Sequence, residues 1–197
     1  MDLVSRVQQI ILKPKEEWIK IKEEEISIQQ LFTSYAAILI AIPSIAQFIG
    51  QSLIGRRIPF IGLYRVGIGT GLLYAILFYV FSLVSVYVFG IIINALAPTF
   101  SSKQNQANAM KIAVFSLTPA WVAGVLHIIP FLGILVFLAS LYSVYLLYLG
   151  FSTPLLDTPK EKVVGYLVVS VIVVIVLMAV IRIILGAILT VGAYRAI

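Results

Sequence analysis

Long apolar stretches, separated by short segments that carry the charges, are the main pattern of the chain. Between charged positions the sequence has uninterrupted stretches of 30, 37, 45, 19 and 12 residues, at 26–55, 66–102, 112–156, 163–181 and 183–194. A helix that crosses a bilayer needs about 20 apolar residues, whereas a barrel strand needs about ten that alternate. The pattern therefore predicts an all-α polytopic membrane protein.

Stretch length and helix-breaking residues divide this pattern into five predicted transmembrane helices. The stretch of 45 residues is too long for one crossing and contains a break at His127–Pro130, so it is predicted to form a helical hairpin. Residues 66–102 are assigned to one long helix, because two helices would leave almost nothing for a turn. Pro43 removes a helical donor and is expected to kink the first span. The predicted spans are about 31–54, 66–97, 110–127, 130–151 and 160–183.

Residues 1–30 precede the bundle of residues 31–197 and have a different pattern. Apolar residues from Leu3 to Ile11 recur at helical spacing, and a second short helix after Pro14 would direct Trp18 and Ile21 toward lipid or protein. Two N-terminal amphipathic helices at the membrane interface are therefore predicted. Because this segment has five cations and six anions, we expect apolar contacts, and not attraction to anionic lipid, to hold it in place.

Composition excludes most enzyme chemistry. Hydrophobic residues make up 61% of the chain and charged residues 11%, with no cysteine, one histidine and no acidic residue between Ile26 and Leu156. Metal sites need clustered His, Cys or carboxylates, and covalent catalysis needs an activated nucleophile. The sequence therefore predicts neither an enzyme nor a bound cofactor or metal. The net charge is +6, but the sequence has no basic surface interleaved with aromatic residues of the kind that binds nucleic acid. No nucleic-acid partner is therefore predicted.

The distribution of lysine and arginine predicts the orientation. The N-terminal segment and the loops after spans two and four carry nine of these cations, including Lys103 and Lys111, whereas the opposite side carries five. Cytoplasmic loops are enriched in Lys and Arg. We therefore expect a cytoplasmic N-terminus and a C-terminus outside.

Two groups of polar side chains within the spans are candidate sites. Ser44, Gln47 and Gln51 follow an i, i+3, i+7 spacing that would place them along one face of the first helix. Such a stripe could line a polar path, or it could hydrogen bond to neighbouring helices and stabilise their packing. Three tyrosines of the fourth span, Tyr142, Tyr145 and Tyr148, could line a ligand site or act as packing and interface anchors.

Arg182 is the one charge within the last apolar region, between stretches of 19 and 12 residues. A guanidinium at the bilayer centre would cost about 2.5 to 3.5 kcal/mol. We therefore expect the helix to cross with residues 163–183, so that Arg182 reaches the outer interface and residues 185–194 form a protruding or interfacial turn. The alternative is an intramembrane cationic site inside the bundle.

Three segments of the chain carry motifs in a recognisable order. The first segment contains a P-x-x-x-W pattern from Pro14 to Trp18. The others run from Asn94-Ala95-Leu96-Ala97-Pro98 to Ser116-Leu117-Thr118-Pro119, and from Ile129-Pro130-Phe131-Leu132-Gly133 through Tyr142 and Tyr148 to Pro159-Lys160-Glu161-Lys162. Together they resemble the Yip family of five-span membrane proteins, in its prokaryotic branch, and the resemblance implies a five-helix bundle with a cytoplasmic N-terminus. Eukaryotic members resemble partners of Rab-type GTPases, but their acidic-aromatic D-L-Y-G-P signature has no counterpart here.

These observations favour a non-catalytic integral membrane protein of the prokaryotic cell membrane. It would act through contacts with membrane lipids, with membrane-protein partners or with a second copy of itself, in membrane organisation or a trafficking-like process. The alternative is a small transporter, channel or lipid scramblase that uses the polar stripe of the first span.

Overall fold

The computed structural model describes residues 2–58 and 62–194, and in this part of the chain the architecture is an all-α bundle. Two short helices, α1 (Leu3–Leu12) and α2 (Pro14–Glu23), precede five long ones. The long helices are α3 (Ile28–Ile54), α4 (Ile68–Phe100), α5 (Gln106–Ile128), α6 (Gly133–Ser152) and α7 (Lys160–Tyr194). All five are long and apolar enough to cross a membrane, which confirms the predicted class of fold and the number of spans.

A two-stranded ribbon connects α3 to α4 and is a small exception to the helical architecture. Strands β1 (Arg56–Ile58) and β2 (Gly62–Tyr64) are antiparallel, with Arg56 opposite Tyr64. Gly55 ends α3 with a φ of 80°, a left-handed conformation that glycine adopts without the steric cost other residues pay. The chain can therefore leave the helix sharply at this point.

Side-chain caps set two of the helix starts. Ser27 Oγ accepts a hydrogen bond of 3.1 Å from the Gln30 amide at the start of α3. Asn105 Oδ1 accepts one of 3.0 Å from the Asn108 amide, so α5 begins at Gln106, several residues before the predicted span. Ser, Asn and Asp are favoured at such positions because they satisfy free backbone amides of the first turn.

Helix α7 differs from the sequence-based expectation. It continues as a helix to Tyr194, whereas the sequence-based expectation for residues 185–194 is a turn. The segment contains no proline. A Cβ atom added to Gly186 would meet no described atom within 4 Å beyond its chain neighbours and its own helix backbone, so no such contact bends the helix there. An apolar sequence without a breaker therefore extends the helix beyond Arg182.

Helix α5 is the centre of the bundle, and α7 lies at its periphery. In the most apolar continuous stretch of 18 residues of each helix, 67% of the residues are buried in α5 but 11% in α7. The largest buried side chains gather toward the end of the bundle that contacts α1 and α2, and they include Trp18, Tyr35, Phe89, Phe115, Phe151 and Tyr166. Some ring pairs there are T-shaped, with the edge of one ring on the face of the other. Others are stacked, for example Phe151 on Tyr166 at 4.2 Å between centroids.

The loops after α4 and α6 meet at this same end. The Lys103 amide donates to the Leu156 carbonyl at 2.7 Å, and the Asn108 side chain donates to the Leu155 carbonyl at 2.8 Å. Lys103 Nζ also lies 2.8 Å from Asp157 Oδ2. This pairing raises the pKa of Lys103 and lowers the pKa of Asp157. Because both groups are exposed, the pair contributes little stability, but it fixes the two loops on one side of the bundle.

Candidate functional site

A cavity of about 380 Å³ lies among the transmembrane helices, away from the α1 and α2 end. Its apolar walls include Ile40, Phe78, Leu117, Met178 and Ile181. The polar or amphipathic side chains that line it are Gln47 from α3, Tyr74 and Ser82 from α4, Trp121 and His127 from α5, and Arg182 from α7. A mostly apolar hollow with a few convergent polar groups is typical of small-molecule and lipid sites.

Close helix contacts position α3 against the end of α5 beside the cavity. A Cβ atom added to Gly50 would lie 2.1 Å from the His127 carbonyl oxygen. One added to Gly124 would lie 2.6 Å from Pro43 Cβ. Both distances are too short for any side chain, so glycine at each position permits the backbones to approach as small residues do in membrane helix pairs.

The structure separates the three members of the predicted polar stripe. Gln47 lines the cavity, but the buried Ser44 donates its hydroxyl to the Ile40 carbonyl of its own helix at 2.8 Å. Gln51 is not among the lining residues, because it lies in a π-helical segment, Ile49–Ile54. The predicted spacing assumes α-helical geometry, whereas a π turn bonds i to i+5 and rotates each residue by a smaller angle.

Arg182 is exposed and lines the same cavity as Gln47, so the structure does not place it in a closed interior. It lies 22 residues after Lys160, which corresponds to about 33 Å of helix, close to the thickness of about 30 Å of the hydrocarbon layer. Within residues 2–58 and 62–194, no carboxylate lies within ion-pair distance of its guanidinium. Its position as an interfacial cation stays a prediction.

Two further polar groups of the cavity differ in how they are satisfied. Ser82 Oγ is buried and has no hydrogen-bond partner among the described residues, a costly arrangement unless a ligand or water completes it. His127 Nδ1 lies 2.9 Å from the Gly124 carbonyl oxygen. When that nitrogen donates, Nε2 of the neutral ring is left as an acceptor.

The three candidate tyrosines do not share one binding site. Tyr142 donates its hydroxyl to the Ile11 carbonyl at 2.7 Å and therefore ties α6 to α1. Tyr145 is 40% exposed and borders a shallow depression of about 260 Å³ beside Leu12 and Pro14. Tyr148 is 39% exposed on the outside of the bundle. The geometry corresponds to anchoring contacts more closely than to the lining of a ligand site.

Sequence reasoning missed a polar cluster that attaches the N-terminal helices to the bundle. The buried Arg6 donates to the carboxylates of Glu17 and Glu24. Lys111 of α5, also buried, donates to the carbonyls of Ile21 at 3.0 Å and Glu24 at 2.6 Å. One signal was present, because Arg6 is spaced i+3 from Leu3 and i−4 from Ile10, on the apolar face of α1.

Among residues 2–58 and 62–194, no group of three or more His, Cys, Asp or Glu side chains could hold a metal ion. The lining of the cavity offers hydrogen-bonding groups and the positive charge of Arg182.

Five apolar helices that pack into one bundle define an integral membrane protein. A family model described as "Yip1 domain" matches residues 9–181, and the chain therefore belongs to this family. Two curated relatives, both called "Inner membrane protein YohC", come from Escherichia coli strain K12 and Escherichia coli O6:H1 strain CFT073. Each is 29% identical over 162 residues, which cover 81% of this chain and 83% of the relative. No solved structure matches the chain.

Proposed function

We propose that this chain is a non-catalytic protein of the prokaryotic cell membrane that organises the bilayer through contacts with lipids and membrane-protein partners. The proposal is carried by the placement of the α1–α2 hairpin, which packs beside α6. The relatives' name, inner membrane protein, supports the choice of membrane. The predicted orientation would place the hairpin in the cytoplasmic leaflet.

One hydrogen bond supports a position for the hairpin along α6. Tyr142 contacts the Ile11 carbonyl and lies ten residues before Ser152, the end of α6. Ten residues of helix rise about 15 Å. Because α6 has 20 residues, a length of about 30 Å that matches the hydrocarbon layer, this contact would place Ile11 within one leaflet, with the exposed Lys13 and Lys15 of the hairpin tip reaching toward the interface.

Both faces of the hairpin carry apolar side chains. Ile10, Trp18 and Ile21 are fully buried against the bundle. On the other side, Val4, Leu12 and Ile19 are 61%, 76% and 55% exposed. Apolar side chains at this depth would contact lipid. A hairpin that adds volume to one leaflet and not to the other gives the protein a physical means to organise the membrane around it.

Fluorophore labelling tests this lipid contact, and the chain has no native cysteine. A polarity-sensitive fluorophore attached to Leu12→Cys or Ile19→Cys in liposomes should emit at shorter wavelength and be quenched by brominated lipids. The matched control is Lys22→Cys on α2, whose side chain is exposed and polar. Equal solvent exposure at all three positions would contradict a lipid-inserted hairpin.

A transporter or lipid scramblase is the second candidate, and the cavity is the observation that favours it. A buried layer separates that cavity from the α1 and α2 end, in which Tyr35 OH lies 2.9 Å from Thr118 Oγ1 and packs on Phe115 at 4.9 Å. We therefore expect no rapid scrambling by the pure protein in proteoliposomes. Robust scrambling that Gln47→Leu abolishes would replace the proposed function with this alternative.

A further inference from the structure

The chemistry of the cavity selects for an anion. Among the described residues that line it, Arg182 supplies a full positive charge and none is acidic. Gln47, Tyr74 and Trp121 add neutral N–H or O–H donors, and Ser82 Oγ has no hydrogen-bond partner in the part of the chain that the structure describes. A cation with neutral donors and no competing carboxylate favours a negatively charged oxygen group.

The depth of the cavity narrows the choice of anion. Arg182 lies about one hydrocarbon thickness along α7 from Lys160, which is the level where lipid phosphates lie. Its side chain is exposed there, while Trp121, at 6% exposure, and Ser82, at 4%, lie deeper. The cavity therefore extends from the Arg182 guanidinium, at the level of the lipid headgroups, inward along apolar walls. This shape suits a ligand that has a charged headgroup joined to an apolar chain.

We propose that this cavity binds the phosphate group of a phospholipid. The Arg182 guanidinium pairs with the phosphate oxygens, because its planar fork can donate two parallel hydrogen bonds to them. Gln47 and Tyr74 border the headgroup, and Phe78, Met178 and Ile181 contact the first part of an acyl chain. The volume of about 380 Å³ is within the range of about 300–1,000 Å³ for ligand pockets. The inference goes beyond the proposed function and does not depend on it.

Trp121 provides the measurement, since the chain has two tryptophans and the other, Trp18, lies at the opposite end of the bundle. In a Trp18→Phe background, Trp121 fluorescence is followed in a neutral detergent. The probes are phosphatidylglycerol, diacylglycerol with the same acyl chains, and inorganic phosphate. We expect a saturable response to phosphatidylglycerol with a midpoint at least tenfold below that of diacylglycerol. A response to inorganic phosphate at the same concentrations would keep the phosphate site and assign it to the free ion.

Two substitutions connect the response to the cavity. Arg182→Gln should raise the phosphatidylglycerol midpoint at least tenfold. Arg65→Gln should change it less than twofold, because it removes the same charge from an exposed residue that does not line the cavity. Equal midpoints for phosphatidylglycerol and diacylglycerol, or an unchanged midpoint in Arg182→Gln, would overturn the proposal.

A variant that keeps the charge covers the case in which Arg182→Gln does not fold. Arg182→Lys retains a cation at the interface but cannot form the bidentate hydrogen bonds of a guanidinium, so the phosphatidylglycerol midpoint should rise about threefold. Gln47→Leu should raise it by a similar factor. Unchanged midpoints in both variants, with folding verified by circular dichroism, would equally overturn the proposal.

Discussion

At the scale of single residues, Lys111 joins the N-terminal helices to the bundle. Its ammonium donates to two carbonyls at the end of α2, those of Ile21 and Glu24. Positive side chains stabilise helix C-termini by satisfying the free carbonyls and by interacting with the helix dipole. A buried hydrogen bond to a charged group contributes about 1.5 to 3 kcal/mol, so this one side chain matters to the docking of the hairpin.

Lys111→Met should therefore loosen α2 without unfolding the spans. The methionine fills much of the same volume but leaves the two carbonyls without a donor. We expect amide hydrogen exchange in α2 to become about tenfold faster, and Trp18 emission to shift to longer wavelength. Lys22→Met, which removes an exposed lysine of α2, should change neither. An equal effect of both substitutions would show that general charge, and not this contact, holds the hairpin.

The sequence predicts the environments of Arg6 and Lys111 only in part. Helical spacing places Arg6 on the apolar face of α1, but its partners Glu17 and Glu24 are on another element. A lysine usually ends an apolar span, and on that ground the sequence assigns Lys111 to a loop. It is buried instead, because α2 supplies acceptors 87 and 90 residues away. Contacts of this range have no signature in a single sequence.

At the scale of secondary-structure elements, hydrophobic periodicity predicts helices but not their local geometry. The α3 helix contains π-helical segments at Phe32–Ala36 and Ile49–Ile54. The second removes Gln51 from the face that carries Gln47, and it brings Gly50 against the backbone of His127. A π turn depends on packing against neighbouring helices rather than on residue propensity. The spacing of Ser44, Gln47 and Gln51 could therefore not show by itself whether the three side chains share one helix face.

Gly50→Ala tests the close approach of α3 to the end of α5. The added methyl group would lie 2.1 Å from a carbonyl oxygen that is part of the backbone, so one helix must move. Overpacking of this kind costs about 1–3 kcal/mol. We expect a lower melting temperature in detergent by circular dichroism. Gly69→Ala is the control, since among the described residues the added methyl would meet nothing within 4 Å beyond its chain neighbours and its own helix backbone. A drop as large in that variant would contradict the packing argument.

At the scale of the whole molecule, charge and hydropathy predict the membrane class and the five spans because both depend on composition over about 20 residues. The cavity was not predicted as a site. Gln47 and Arg182 are both candidates from the sequence, but they are 135 positions apart, and only the packing of α3 against α4 and α7 brings them to one cavity. Composition determines how many helices cross the membrane, whereas the cavity depends on which helix faces pack against each other.

The pairing of the loops after α4 and α6 also makes the topology testable. Lys103 contacts both Leu156 and Asp157, so Gln104 and Glu161 must face the same side of the membrane, and the ribbon before α4 must face the other.

Cysteines at Gln104 and Glu161 should react with a membrane-impermeant maleimide only after the membrane is permeabilised, because the lysine and arginine bias predicts that side to be cytoplasmic. A cysteine at Leu63, 56% exposed on the ribbon, should react in intact cells. Reaction of Leu63 and Gln104 from one side would mean that α4 does not cross, and exchange of the two sides would reverse the predicted orientation while leaving the fold unchanged.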